Sequence, residues 1–335
     1  MMAETSLKSN AKREKYLDIA KGLGIFLVVM GHSIPDASTP AGISDPYFVI
    51  LFGLIYSFHM PLFFFISGLL TRPITISTDK ASFKFGVLKK LFNRLLVPYF
   101  FVGLCYLPFK LLLSSFANKP YDLENLWKIF LGLNPDGELW FLYALFMVKC
   151  IALMFDNRVN MPALALSLIL AVVDIKFSLL PCNILWYLFF LLAGMYMRNN
   201  HQDWIVNTTF TKTVAYLLIF IISNYMLIHM SIIEWKLLTS LSGTLLFLNI
   251  ALMMSKTDNM LTNVFELLGL LSMDIYILSD IIKIPLRIVF WNHLHWYNAT
   301  FCICTLFSII ISYLITRFVI RKSSFLKRAI IGLEK

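Results

Sequence analysis

Stretches of roughly twenty apolar residues, each long enough to cross a hydrocarbon core about 30 Å thick, recur along almost the whole chain. Short polar connections separate them. This repetition excludes most folds at once. In lipid every backbone polar group must be satisfied internally, so only helices and closed barrels span it. The runs are continuously apolar and do not alternate, which excludes the barrel pattern. The expected class is an all-α integral membrane protein. Composition agrees: 59% of residues are hydrophobic and 14% charged, against about a quarter charged in soluble domains.

About ten transmembrane helices are expected, at approximately 18–37, 47–70, 92–115, 139–156, 162–180, 183–199, 212–230, 236–255, 265–289 and 297–319. The even count places both termini on one side. The net charge of +10 would raise the question of nucleic acid in a soluble protein, but here it reads as topology. Lys8, Lys12, Arg13 and Lys15 precede the first span, and Arg72, Lys80, Lys84, Lys89, Lys90 and Arg94 fill the second connection. Arg321, Lys322, Lys327, Arg328 and Lys335 follow the last span. The first opposite loop, PDASTPAGISDP, has neither Lys nor Arg. The positive-inside rule then puts both termini in the cytoplasm. The expected organisation is a basic tail over residues 1–17, a membrane domain over 18–320 and a second basic tail over 321–335.

The five cysteines fall in or beside apolar runs without framework spacing, and read as reduced packing residues. No metal site is expected. His293 and His295 alone are a weak signal.

Ionisable residues inside spans are costly and usually face the bundle interior, so each is a functional candidate. The first span, LDIAKGLGIFLVVMGHSIP, holds Asp18, Lys21 and His32. Lys21 and His32 are eleven residues apart, which leaves them about 20° from the same helical direction and roughly 16 Å apart along the axis. Asp18 can pair with Lys21 three residues on. Lys21 could instead snorkel to the interface, and His32 could make an interhelical hydrogen bond. A buried imidazole also suits a general base acting on a hydroxyl.

The second span carries His59 just before Pro61, a kink position. Arg94 stands at a cytoplasmic helix entrance, either as a topological anchor or as a contact for phosphates. Glu138 and Trp140 open a span from the outer side, where Trp often serves only the interfacial belt. The late run LGLLSMDIYILSD carries Ser272, Asp274, Tyr276 and Asp280. Two carboxylates in one apolar run are hard to explain as filler. Other chemistries lack their motifs. Asp36 follows His32 by four residues and not five, and there is no GxxxxGK[ST], HExxH or GxSxG.

Four blocks together resemble the acyltransferase 3 family of membrane-bound O-acyltransferases. LDIAKGLGIFLVVMGH is similar to its opening signature, a basic residue, ten residues and a histidine. FHMPLFFFISGLL, RLLVPYF and ELWFLYAL resemble the next three, in the family's order. The second is similar to fucose 4-O-acetylase-like members. The likeness covers mainly residues 16–145 and weakens through about 285. It implies about ten helices and transfer of an acyl group, usually acetyl, from acetyl-CoA as co-substrate, with no bound cofactor. The implied acceptor is a sugar hydroxyl of an envelope polysaccharide or lipid-linked glycan, and the implied location the bacterial inner membrane.

By the resemblance, His32 corresponds to the essential histidine, and Lys21 and Arg94 to basic positions tied to catalysis or donor binding. Asp18 would orient or neutralise Lys21. His59, Glu138, Trp140, Ser272, Asp274 and Tyr276 are acceptor-side candidates. His32 would deprotonate the acceptor or relay the acyl group covalently. Three features depart from the family. The basic position is Lys21, where many relatives have Arg. The family's late Ser-x-x-x-Tyr-x-x-His block has Ser272 and Tyr276 here, but Ser279 and Asp280 stand where the histidine would be. Many members add an SGNH esterase-like domain. This chain ends after its last span, so transfer is expected within the bundle or with a partner. The alternative function is a carrier or flippase for a glycan, lipid or small anion, using the same charges as a relay.

Overall fold

A computed structural model of the chain describes residues 14–35, 45–75, 79–112, 123–178, 180–201, 207, 209–230 and 234–333. Lys8, Lys12, Arg13 and Asp36, with the ends of both expected tails, lie outside the described residues. Within them there are helices and turns and no strand. Every expected span holds helix. The helices are α1 (Lys15–Gly31), α2 (Pro46–Tyr56), α3 (His59–Leu69), α4 (Lys80–Leu91) and α5 (Val97–Leu112). They continue with α6 (Trp140–Met154), α7 (Met161–Phe177), α8 (Ile184–Asn200), α9 (Phe210–Met230) and α10 (Glu234–Ser255). The last are α11 (Met260–Leu270), α12 (Ser272–Arg287), α13 (Tyr297–Phe318) and α14 (Ser324–Ile331). Six described helices are long and apolar enough to cross a membrane by length and composition. The chain is an integral membrane protein of the helical class.

Local chemistry sets the boundaries. The Asn160 side chain accepts from Ala163 N at 2.9 Å and starts α7, with Pro162 in its first turn. Asn259 does the same for α11 through Thr262 N. The expected second span is broken into α2 and α3 at Ser57–Phe58. Pro61 has no N–H to give to the carbonyl of Ser57, four residues back. That carbonyl accepts instead from Ser240 Oγ of α10 at 2.5 Å. The His59 ring adds a second contact at the break, with Nδ1 2.8 Å from Ile55 O, which also accepts from Phe58 N–H at 3.4 Å.

The first span is the centre of the bundle. α1 packs against α2, α3, α10, α11, α12 and α13. Its tightest crossing is with α11, where a Cβ on Gly22 would run into the Phe265 carbonyl and one on Gly269 into the Asp18 carbonyl. Small residues are what allow backbones this close. Gly68 and Gly194 do the same between α3 and α8. At the periphery, Leu217, Leu218, Ile221 and Ile222 of α9 and Phe307, Ile310 and Leu314 of α13 are exposed, as lipid-facing positions require.

Candidate active site

Two groups of polar side chains surround α1, one at each end. At its first turns Lys21 Nζ lies 2.6 Å from Asp18 Oδ1, the pairing expected from their spacing. Lys21 opens onto a cavity of about 370 Å3. Arg94, Lys149, Ser67, Ser272 and Tyr276 also line it, among apolar walls that include Met60, Phe63 and Phe141. Arg94 comes from a π-helical stretch, Phe92–Leu96, between α4 and α5. Its guanidinium donates to the carbonyl of Ile331, where α14 ends at left-handed Gly332. Asp274 is near by, 3.2 Å from Arg321. Ser272 and Asp274 therefore sit with Arg94 and Lys21, away from Glu138.

At the other end of α1, His32 is the residue that closes the helix. Its Nδ1 lies 3.1 Å from Glu138 Oε1 and 3.2 Å from the Tyr56 hydroxyl. Glu138 Oε1 also accepts from Lys283 Nζ at 3.0 Å, and Lys283 lies 3.7 Å from Asp280 Oδ1. The Lys283 side chain is fully buried. Asp280 Oδ2 accepts from Tyr106 at 3.2 Å.

Glu138 is placed by its surroundings on several sides. Its N–H donates to Asp136 Oδ1 at 3.0 Å, and Asp136 N–H to Asn134 Oδ1 at 3.0 Å. Asn134 in turn donates to the Tyr99 carbonyl at 2.8 Å. The Glu138 carbonyl accepts from the Tyr276 hydroxyl. Asp136 lies just before α6's span. Burial, with the charge of Asp280 adding to it, raises its carboxyl to about 7.

Tyr276 joins the two groups, because it lines the cavity and holds Glu138. Its ring meets that of Phe141 edge-on at 5.7 Å. Trp140, one residue earlier, tilts over Tyr187 at 5.3 Å and contributes to packing there. Tyr56 stands between His59 and His32, its ring edge-on to both imidazoles.

Chemically, the His32 end can supply a base. With Glu138 ionised, its carboxylate accepts only and favours the Nδ1–H form of His32, which leaves the Nε2 lone pair available. Nε2 has no hydrogen-bond partner among the described residues. Lys283 and Lys149 are the side chains that the motif-based reading overlooked, although Lys149 is a lone cation in its apolar run and Lys283 stands with Arg287 in another. Lys283 carries the further signal of Asp280 three residues before it.

A central helix with a histidine–carboxylate pair at one end and a cation-lined cavity at the other describes a polytopic membrane protein with an ionisable interior. The chain belongs to the acyltransferase 3 family, whose model, described as an acyltransferase domain, matches residues 14–317. The four blocks quoted above lie within that match. The chain is also similar to the nodulation protein NolL of Mesorhizobium japonicum, 30% identical over 194 residues. The match covers 56% of this chain and 48% of NolL, so the chain spans about half the length of that relative. No solved structure matches the chain.

Proposed function

We propose that the protein is a membrane O-acetyltransferase of the bacterial cytoplasmic membrane, with ten spans and both termini cytoplasmic. It would move an acetyl group from acetyl-CoA to a sugar hydroxyl of an envelope polysaccharide or lipid-linked glycan. The observation that carries this reading is His32 Nδ1 at 3.1 Å from Glu138, at the opposite end of α1 from Lys21. The donor's phosphates would rest at Lys21 and Arg94. The rise between Lys21 and His32, about 16 Å, suits the extended arm that joins the phosphates of CoA to its thioester.

In this reading His32 Nε2 takes the proton of the acceptor hydroxyl as the sugar oxygen attacks the thioester carbonyl. The C–O bond forms, the C–S bond breaks and the proton passes to the departing thiolate, giving CoA and the ester. Glu138 stabilises the transient imidazolium. Asp18 sets the position of Lys21, and Tyr276 separates donor and acceptor ends. Ser272 and Asp274 belong to the donor side on this account. His59 and Trp140 shape the bundle behind the site.

The test is acetyl transfer to glycan in membranes with wild-type protein or His32→Ala at equal expression. Loss of transfer, together with loss of thiol release from acetyl-CoA, is expected. Normal transfer by His32→Ala would overturn the catalytic role. A carrier would move its cargo without releasing thiol.

A further inference from the structure

One cation in the cavity is not used above. Lys149, on α6, lines the cavity together with Lys21 and Arg94, and no Asp or Glu lines it. Lys21 has Asp18 as counter-charge. Lys149 Nζ has the Thr71 hydroxyl at 3.2 Å and no carboxylate within ion-pair distance among the described residues. Thr71 is itself fixed, because its hydroxyl donates to the Ser67 carbonyl at 2.7 Å. The oxygen lone pairs of Thr71 therefore face Lys149 and aim its ammonium.

An ammonium held at membrane depth without a counter-charge is costly. Asp18 offsets Lys21 and Asp274 stands near Arg94, but neither carboxylate lines the cavity. Three cationic donors therefore face it, and Lys149 has no offsetting charge among the described residues; a multiply charged anion would complete the site. The Ser67 and Ser272 hydroxyls could add neutral donors, while Met60, Phe63 and Phe141 suit an uncharged chain attached to the anion. We infer that Lys149, positioned by Thr71, completes with Lys21 and Arg94 a subsite for a diphosphate group. This rests on the acyl-transfer reading, in which a diphosphate has two sources: the CoA donor and a lipid-linked acceptor.

Full-length protein in nanodiscs distinguishes them. Binding is measured for CoA and 3′-dephospho-CoA, which keeps the diphosphate and lacks the 3′-phosphate, against pantetheine, and for farnesyl diphosphate against farnesol. In the wild type each diphosphate should bind more tightly than its unphosphorylated counterpart if it is the ligand of the subsite. Lys149→Met should weaken that diphosphate about tenfold or more, the scale of a lost charge-assisted hydrogen bond, and leave its unphosphorylated counterpart unchanged. Lys149→Arg should retain most of the preference, and Thr71→Val should lose part of it. A loss confined to CoA and 3′-dephospho-CoA assigns the subsite to the donor, and one confined to farnesyl diphosphate assigns it to the acceptor. Unchanged diphosphate binding by Lys149→Met overturns the inference, as does an equal loss with and without the diphosphate. A wild type that prefers neither diphosphate also overturns it. The acyl-transfer reading fails separately, through transfer that does not depend on His32.

Discussion

Glu138 Oε1 stands 3.1 Å from Nδ1 of His32, joining the start of α6 to the end of α1. One oxygen thus orients the imidazole while it also receives the buried ammonium of Lys283. The arrangement makes the orientation of the imidazole depend on a carboxylate that is itself held by a cation, on a residue whose backbone carbonyl is held by the Tyr276 hydroxyl.

Glu138→Gln should lower acetyl transfer by about 10²–10⁴-fold, the usual contribution of positioned acid–base groups. The amide can hydrogen-bond His32 but cannot stabilise an imidazolium by charge. On the proposed acyl-transfer reading, binding of CoA should be preserved, since Glu138 does not line the cavity that holds Lys21 and Arg94. Steady-state kinetics separate the two quantities. A variant with full turnover would remove Glu138 from the chemistry.

Lys283→Met should be strongly destabilising. It leaves Glu138 and Asp280, both mostly buried, facing each other without their shared cation. Removing one member of a buried ionic group costs about 3–5 kcal/mol. The double variant Lys283→Met with Asp280→Asn should recover part of the loss, because one negative charge goes with the cation. Thermal unfolding in detergent reads both. No recovery in the double variant would mean that Lys283 acts by packing and not by charge.

Much of this arrangement is legible in the sequence. Apolar run length locates a helix at every expected span, and the spacing of Asp18 and Lys21 gives their ion pair. Pro61 marks a break, though only the structure reveals that the Ser240 hydroxyl satisfies the freed Ser57 carbonyl. Partners distant in sequence are what a single chain cannot disclose. Glu138 meets His32 because α6 and α12 pack near the end of α1, and no local pattern encodes that. Residue type alone also misleads. Asp174, another carboxylate in an apolar run, accepts from the backbone N–H groups of Leu180, Leu185 and Trp186. It shapes the α7–α8 connection and lies apart from the His32 and Lys21 groups.

Gly269→Ala should disrupt the α1–α11 crossing. The added methyl would overlap the carbonyl of Asp18, a backbone atom that cannot rotate aside. A cost of about 1–3 kcal/mol is expected for overpacking, with displacement of Asp18 and, through their ion pair, of Lys21 at the cavity wall. Gly137→Ala, where nothing lies within 4 Å of the new methyl, is the control. Equal unfolding temperatures for the two variants would contradict the crossing.

The Asp136 carboxyl supplies a pH dependence whose sign can be worked out. Its folded value is raised to about 7, against about 3.9 for an unperturbed Asp. Between these values the folded protein keeps a proton that the unfolded chain has lost. Stability contributed by this group is therefore present below about pH 4 and falls as pH rises towards about 7. Asp136→Asn mimics the protonated form and can still accept from Glu138 N–H, as Asp136 does at 3.0 Å. The variant should unfold at a temperature that varies less with pH than the wild type's across that window, with the difference between them widening towards neutrality. Asp136→Ala should lose the cap as well, at about 0.5–2 kcal/mol, and so be less stable than Asp136→Asn at every pH. Parallel curves for wild type and Asp136→Asn would show that this carboxyl does not titrate in the window. The raised value would then have to yield to one set by the N–H groups around it.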